Sequence, residues 1–278
     1  MIAPASRTLE EAVLGTLAFF DLFDRPLTVH EITQYLFGFQ ASDDEISAYL
    51  SHSPLVSSHD EYFSLKDREV IFPSFFSRRE INKNLWKKVW KFSFLFRFIP
   101  FLKEVSVCNR LAYQAATEKS DIDLFIVSQR NRLFLCRTFL LFFLGIFGVR
   151  LHGNKITGRF CLSFLVSQDY VNMDAMALQP FDVYLFFWQK TLRPIHFEKS
   201  FFARFFEFLL KGKFGDFVER RLQIWQISRA RRKWQELGQP SGVVITPDVL
   251  KFHHPDMRST YRDLWEKTIS TFSSRYTS

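Results

Sequence analysis

The charge of this chain changes sign at one place, and that divides it before any element is drawn. Residues 1–77 hold four basic side chains (Arg7, Arg25, Lys66 and Arg68) against twelve Asp and Glu, a net −8. Residues 78–278 hold 33 basic against 17 acidic residues, a net +16. A reversal of this size sets a boundary near Phe76 to Arg79. An apolar share of 47% excludes a disordered chain. There are only 10 Gly beside 35 Phe, and neither G-x-x-x-x-G-K-[ST] nor G-x-G-x-x-G occurs, so a glycine loop around phosphate is not expected. The longest apolar stretch, Thr138 to Val149, falls short of the roughly 20 residues a bilayer needs. Cys108, Cys136 and Cys161 have neither disulfide nor zinc spacing and read as buried thiols. No secretory signal is apparent, and a soluble, cytoplasmic protein without a transmembrane segment is expected.

The acidic part reads as a winged helix-turn-helix. Thr8 to Phe23 carries an apolar stripe through Leu9, Ala12, Val13, Leu17 and Phe20. Thr28 with Glu31, and Ser42 with Glu45, are two capping boxes, opening helices over Val29 to Phe37 and on to about Ser51. Leu55 to Ser57 and Tyr62 to Leu65 flank His59-Asp60-Glu61 as a hairpin. The third helix would be the recognition helix, but it opens Asp43-Asp44-Glu45 and carries no Lys or Arg. Affinity for duplex DNA depends on cations at phosphates, so residues 1–77 should not bind it. They should pack against the basic remainder, drawn by opposite charge.

Arg78 to Phe98 has no Gly or Pro and reads as a linker helix, with Leu85, Val89, Phe92 and Phe96 on one stripe and Lys83, Lys87, Lys88 and Lys91 on the wet face. Packing between the two units is the plainer reading. The sharper one is a basic aromatic helix lying on an anionic membrane.

The residues that carry chemistry follow. Val105 to Cys108 is a short apolar strand, Asn109 to Ala116 suits a turn and short helix, and Thr117 to Ser120 is a polar loop. Then comes Asp121-Ile122-Asp123-Leu124-Phe125-Ile126-Val127, a strand whose period of two places both carboxylates on one face. Adjacent carboxylates repel, and a hard divalent cation such as Mg²⁺ would relieve them. The alternative is that they simply end a strand at the surface.

This run resembles the core of the polymerase-beta-like nucleotidyltransferase superfamily, in bacterial nucleotidyltransferase-domain form with an N-terminal winged helix. That pattern is an apolar residue, Gly, Gly or Ser, about ten residues, then Asp, an apolar residue, and Asp or Glu. The chain matches at Asp121, Ile122 and Asp123, with ten residues between Arg110 and Asp121. The resemblance implies that Asp121 and Asp123 are catalytic and hold Mg²⁺ on a nucleoside triphosphate. It places Asn109, Arg110 and Ser120 at the nucleotide.

The chain also departs from the pattern. Asn109-Arg110 replaces Gly-Ser, although Asn tolerates the positive φ of such a turn. Arg110 either binds phosphate itself or pairs with the aspartates and fills the metal position. The third carboxylate of the family belongs on a later strand. Here that strand is Arg159 to Val166, with Cys161 or Ser163 in its place; Asp169 and Asp174 lie beyond it, and Glu118 is a substitute close in sequence.

Asn131 to Phe147, Phe181 to Lys190 and Phe201 to Leu210 read as buried helices, and Lys213 to Glu236 as a long helix ending in Arg229-Ala230-Arg231-Arg232-Lys233-Trp234. That basic end suits an RNA or protein acceptor. Pro240 to Pro247 reads as a loop, and His253-His254 as a structural pair.

The expected fold is α+β: a winged-helix unit over 1–77, a linker helix over 78–100, a small mixed-sheet nucleotidyltransferase-like core over 101–200, and a helical C-terminal region over 201–278. The expected function is transfer of a nucleoside monophosphate from a nucleoside triphosphate to an acceptor. The alternatives are a catalytically degenerate module binding nucleotide, RNA or protein, and a basic peripheral-membrane or DNA-associated regulator.

Overall fold

The computed structural model describes residues 8–151, 153 and 156–276, and its fold is α+β. The acidic N-terminal unit forms as its caps dictate. Helix α1 (Leu9–Asp21) is capped by Thr8, whose hydroxyl accepts from the Glu11 N–H. Strand β1 (Leu27–Thr28) leads into α2 (Val29–Tyr35) and then α3 (Asp43–His52), and both capping boxes are formed as expected. Strands β2 (Val56–His59) and β3 (Tyr62–Leu65) make the wing, and Asp60 takes the positive φ that the tight turn requires. β1 adds to β3, giving a three-stranded sheet in the order β1-β3-β2.

The linker helix α4 (Ile71–Ser93) starts earlier than the charge reversal, so it runs through the 77/78 boundary before ending in a 3₁₀ turn over Phe94–Phe98. Its first turns belong to the winged unit, with Phe75 packed on Tyr62 and under the Arg25 guanidinium. Its later residues Leu85 and Val89 enter the central core.

The central sheet is assembled in chain order from β4 (Leu102–Val107), the short helix α5 (Asn109–Ala112), β5 (Ile122–Ser128), α6 (Leu133–Ile146), β6 (Phe160–Ser167), α7 (Val183–Thr191) and β7 (Arg193–Pro194). Helices α8 (Phe201–Leu209) and α9 (Lys213–Glu236) follow, then β8 (Val244–Ile245), β9 (Val249–Lys251) and α10 (Arg258–Tyr276). The six strands run β7-β4-β5-β6-β9-β8; β5 and β6 are parallel, and the other pairings antiparallel. The period of two divides β5 cleanly. Ile122, Leu124 and Ile126 face the core under α6, and Phe125 and Val127 face a second core with Leu185 and Trp188 of α7.

Three sequence expectations need correction. The region after residue 200 is not wholly helical: Val244–Ile245, inside the expected loop, and Val249–Lys251 complete the central sheet beside β6. Helix α8 is not buried, since Phe201 is 85% and Phe208 79% exposed. The winged unit is also not held on by charge. Phe19 stacks on Phe187 at 4.1 Å, and Trp265 of α10 donates to the Gly15 carbonyl at 2.8 Å. The cations whose hydrogen bonds cross the boundary, Arg25, Arg78, Lys190 and Arg193, donate to backbone carbonyls and to the Tyr35 hydroxyl. Aromatic burial outweighs long-range attraction that water and salt screen. Among the described residues, no helix is long and apolar enough to cross a membrane.

Candidate functional site

Asp121 lies just before β5 and Asp123 within it, on either side of Ile122, whose side chain is buried in the core. Both carboxylates therefore share the face of Phe125 and Val127, as the period requires. Oxygen atoms of the two and the Cys161 sulfur lie within 4.8 Å of one another. Cys161 is the parallel partner of Asp123, so the neighbouring strand supplies a thiol where the resemblance asks for a third carboxylate. Beyond that pair β6 carries one extra residue against β5. Bulges of this kind re-aim side chains, and the Ser163 hydroxyl here donates to Asp123 Oδ1 at 3.4 Å.

The turn before α5 completes the surround. Asn109 adopts φ 57°, the left-handed conformation in which Asn replaces Gly most readily. Its side-chain amide donates to Asp123 Oδ2 at 3.0 Å, and its carbonyl oxygen accepts from the Tyr184 hydroxyl at 3.2 Å and from Trp188 Nε1 at 3.1 Å. His253, just after β9, brings Nε2 to 3.3 Å from Asp123 Oδ1 and 3.0 Å from Ser163 Oγ.

The two aspartates are thus set apart electrostatically. Burial, then the Asp123 charge, push the Asp121 carboxyl up to about 6. Asp123 is buried more deeply, yet hydrogen bonds from His253 and Asn109, with the His253 charge, hold it below the usual carboxylate range. Burial, then the two carboxylates, keep the Cys161 thiol protonated. A neutral thiol is a poor ligand for a hard cation, whereas the two carboxylates suit Mg²⁺, which commonly takes one or two carboxylates and completes its shell with water and substrate phosphates.

The remaining expected residues are placed differently. Arg110 is exposed on α5 and forms no ion pair with Asp121 or Asp123, so it does not fill the metal position. The Ser120 hydroxyl is taken up within its own loop, accepting from the Thr117 N–H at 2.9 Å. Glu118 is exposed, and Asp169 pairs with Arg130 at 2.6 Å beyond the far end of β6. His253, read from the sequence as half of a structural pair, reaches the site from 130 positions away, and Tyr184 and Trp188 were not read as part of it.

Beside Asn109 and His253 opens a cavity of about 180 Å³ between α7, the loop after β6 and the start of α10. Its walls are Tyr184, Trp188, Tyr261 and Met173, with Tyr184 and Tyr261 stacked at 5.4 Å. Lys251 and Arg258 stand at its edge, both paired with Asp256. No family model matches the chain, and neither a curated protein nor a solved structure does.

Proposed function

We propose that the chain is a nucleotidyltransferase-like protein that binds a nucleoside triphosphate with a divalent cation at Asp121 and Asp123. The observation that carries this reading is the carboxylate pair itself: two close acidic groups on one face, one pushed up to about 6 by burial and by the other's charge. A folded chain keeps such a repulsive pair at a stability cost that a cation would remove. Asp121 and Asp123 would hold the Mg²⁺, which supplies neutralisation of the triphosphate charge when bound. The aromatic cavity would take the base, between Tyr184, Trp188 and Tyr261. Asn109 and His253 position Asp123 and keep it ionised. In the transfer, an acceptor hydroxyl oxygen bonds to the α-phosphorus and gives up its proton to solvent, the bond from that phosphorus to the α,β-bridging oxygen breaks, and pyrophosphate leaves with that oxygen and the electron pair.

A second reading, a nucleotide-binding module without turnover, rests on a specific observation. Both Asp123 oxygens already accept from Asn109, Ser163 and His253, and the third position is Cys161. Pyrophosphate release from ATP, CTP, GTP and UTP with Mg²⁺ or Mn²⁺ separates the two. Release that disappears in Asp123→Asn supports the transferase. Nucleotide binding without release supports the module, and absence of both refutes the site.

A further inference from the structure

Helix α8 turns a row of apolar side chains to water. Phe201, Phe205 and Phe208, at spacings of four and three, form an outward stripe, with Phe201 and Phe208 at 85% and 79% exposure. The inward side is also phenylalanine, with Phe202 packed on Phe98, Phe139 and Phe143. Phe214 and Phe217, in the first turns of α9, are also exposed, at 60% and 58%.

The charges around this face lean positive. Residues 198–221, from the turn before α8 to the third turn of α9, hold six Lys and Arg against four carboxylates. Three of those carboxylates, all but the exposed Glu198, have a protein partner. Glu207 turns inward to accept from the Phe101 N–H at 2.6 Å and to pair with Lys199. Asp216 pairs with Arg132 at 2.7 Å, and Glu219 accepts from the Phe134 and Leu135 N–H groups at 2.8 Å each. Arg204, Lys211 and Lys213, from α8 through the turn that follows it to the first residue of α9, are exposed, and the Arg221 guanidinium lies over Phe217.

We propose that the α8–α9 face is a docking surface for an anionic lipid bilayer, lying in the plane of the headgroups with Phe201, Phe205 and Phe208 inserted. An exposed row of aromatic rings flanked by cations suits the headgroup–acyl boundary of a fluid bilayer, which needs no matching recess. Flanking cations then meet anionic headgroups. A second copy docked face to face would set the same cations against one another. A nucleic acid would meet the cations but leave the protruding rings in water. The face lies on elements apart from the carboxylate pair, so the inference stands independently of the nucleotide reading.

The test is co-sedimentation of the full chain with phosphatidylcholine–phosphatidylserine vesicles (about 7:3) and with pure phosphatidylcholine. The expected result is binding to the anionic vesicles that falls about tenfold or more on pure phosphatidylcholine, and as much in Lys211→Glu/Lys213→Glu. The variant Phe201→Ser/Phe205→Ser/Phe208→Ser should lose it while keeping the wild-type circular dichroism spectrum, because those rings are exposed. No sedimentation, or sedimentation unaffected by the serine variant, overturns the proposal. So does a dimer in solution that the serine variant alone dissolves, or an RNA homopolymer that binds through these residues where vesicles do not.

Discussion

Replacing Asp121 by Asn should stabilise the cation-free protein at pH 8 and leave it nearly unchanged at pH 4. Burial and the Asp123 charge raise the Asp121 carboxyl from 3.8 to about 6. A group with a raised folded-state value favours the folded state fully only below its unfolded value. Between pH 4 and 6 the unfolded chain releases the proton first, and stability falls; above pH 6 the cost is constant. Two units correspond to about 3 kcal/mol, and partial exposure of the side chain to water reduces this to roughly 1–3 kcal/mol. Asparagine keeps the shape and an acceptor oxygen for Cys161 but not the charge.

Urea unfolding at the two pH values measures the effect, with stability taken from midpoint and slope. Mn²⁺ should narrow the difference at pH 8, because a ligand at one hundred times its dissociation constant adds about 2.7 kcal/mol to the wild type and less to a variant that binds it more weakly. An Asp121→Asn variant less stable than wild type at pH 8, or equally shifted at pH 4, would refute the reasoning.

Asn109 should tolerate Gly better than Ala by roughly 1 kcal/mol in thermal unfolding, since both lose its hydrogen bonds but only Ala strains the left-handed turn. Glu219→Ala should cost roughly 1–3 kcal/mol by the same measurement, because it leaves the Phe134 and Leu135 N–H groups at the buried start of α6 without an acceptor. Trp265→Phe, which removes the donor to Gly15 and packing against Phe37, should cost about 1–2 kcal/mol and raise hydrogen exchange in α1. The full chain should not retard duplex DNA through α3, and an Asp43→Lys/Asp44→Lys variant should raise duplex affinity in a gel-shift assay; an unchanged shift would contradict an electrostatic block.

What the sequence showed was local. Two capping boxes, the hairpin turn at Asp60, the left-handed Asn109 and the shared face of Asp121 and Asp123 each rest on residues within a few positions of one another. What it did not show is set by tertiary distance. His253 reaches Asp123 only because β9 pairs with β6, and a two-residue strand at Val244–Ile245 is too short to give a period. Its β-branched Val243-Val244-Ile245 run was the available signal. Helix α8 misled because hydrophobicity alone predicts burial, whereas its outward stripe stays in water. The third position was legible as Cys161 or Ser163: Cys161 meets the carboxylates as the strand partner of Asp123, and the bulge after it brings in Ser163 as well.

Calorimetric titration of Mn²⁺ into the full chain with a non-hydrolysable ATP analogue, for wild type and Asp121→Asn at pH 8, tests the carboxylate pair most directly. The account predicts saturable binding by the wild type and a loss of about tenfold or more in the variant, since half of the carboxylate donor set is gone. A wild type that takes up neither cation nor nucleotide, or a variant with the wild-type isotherm, would contradict it.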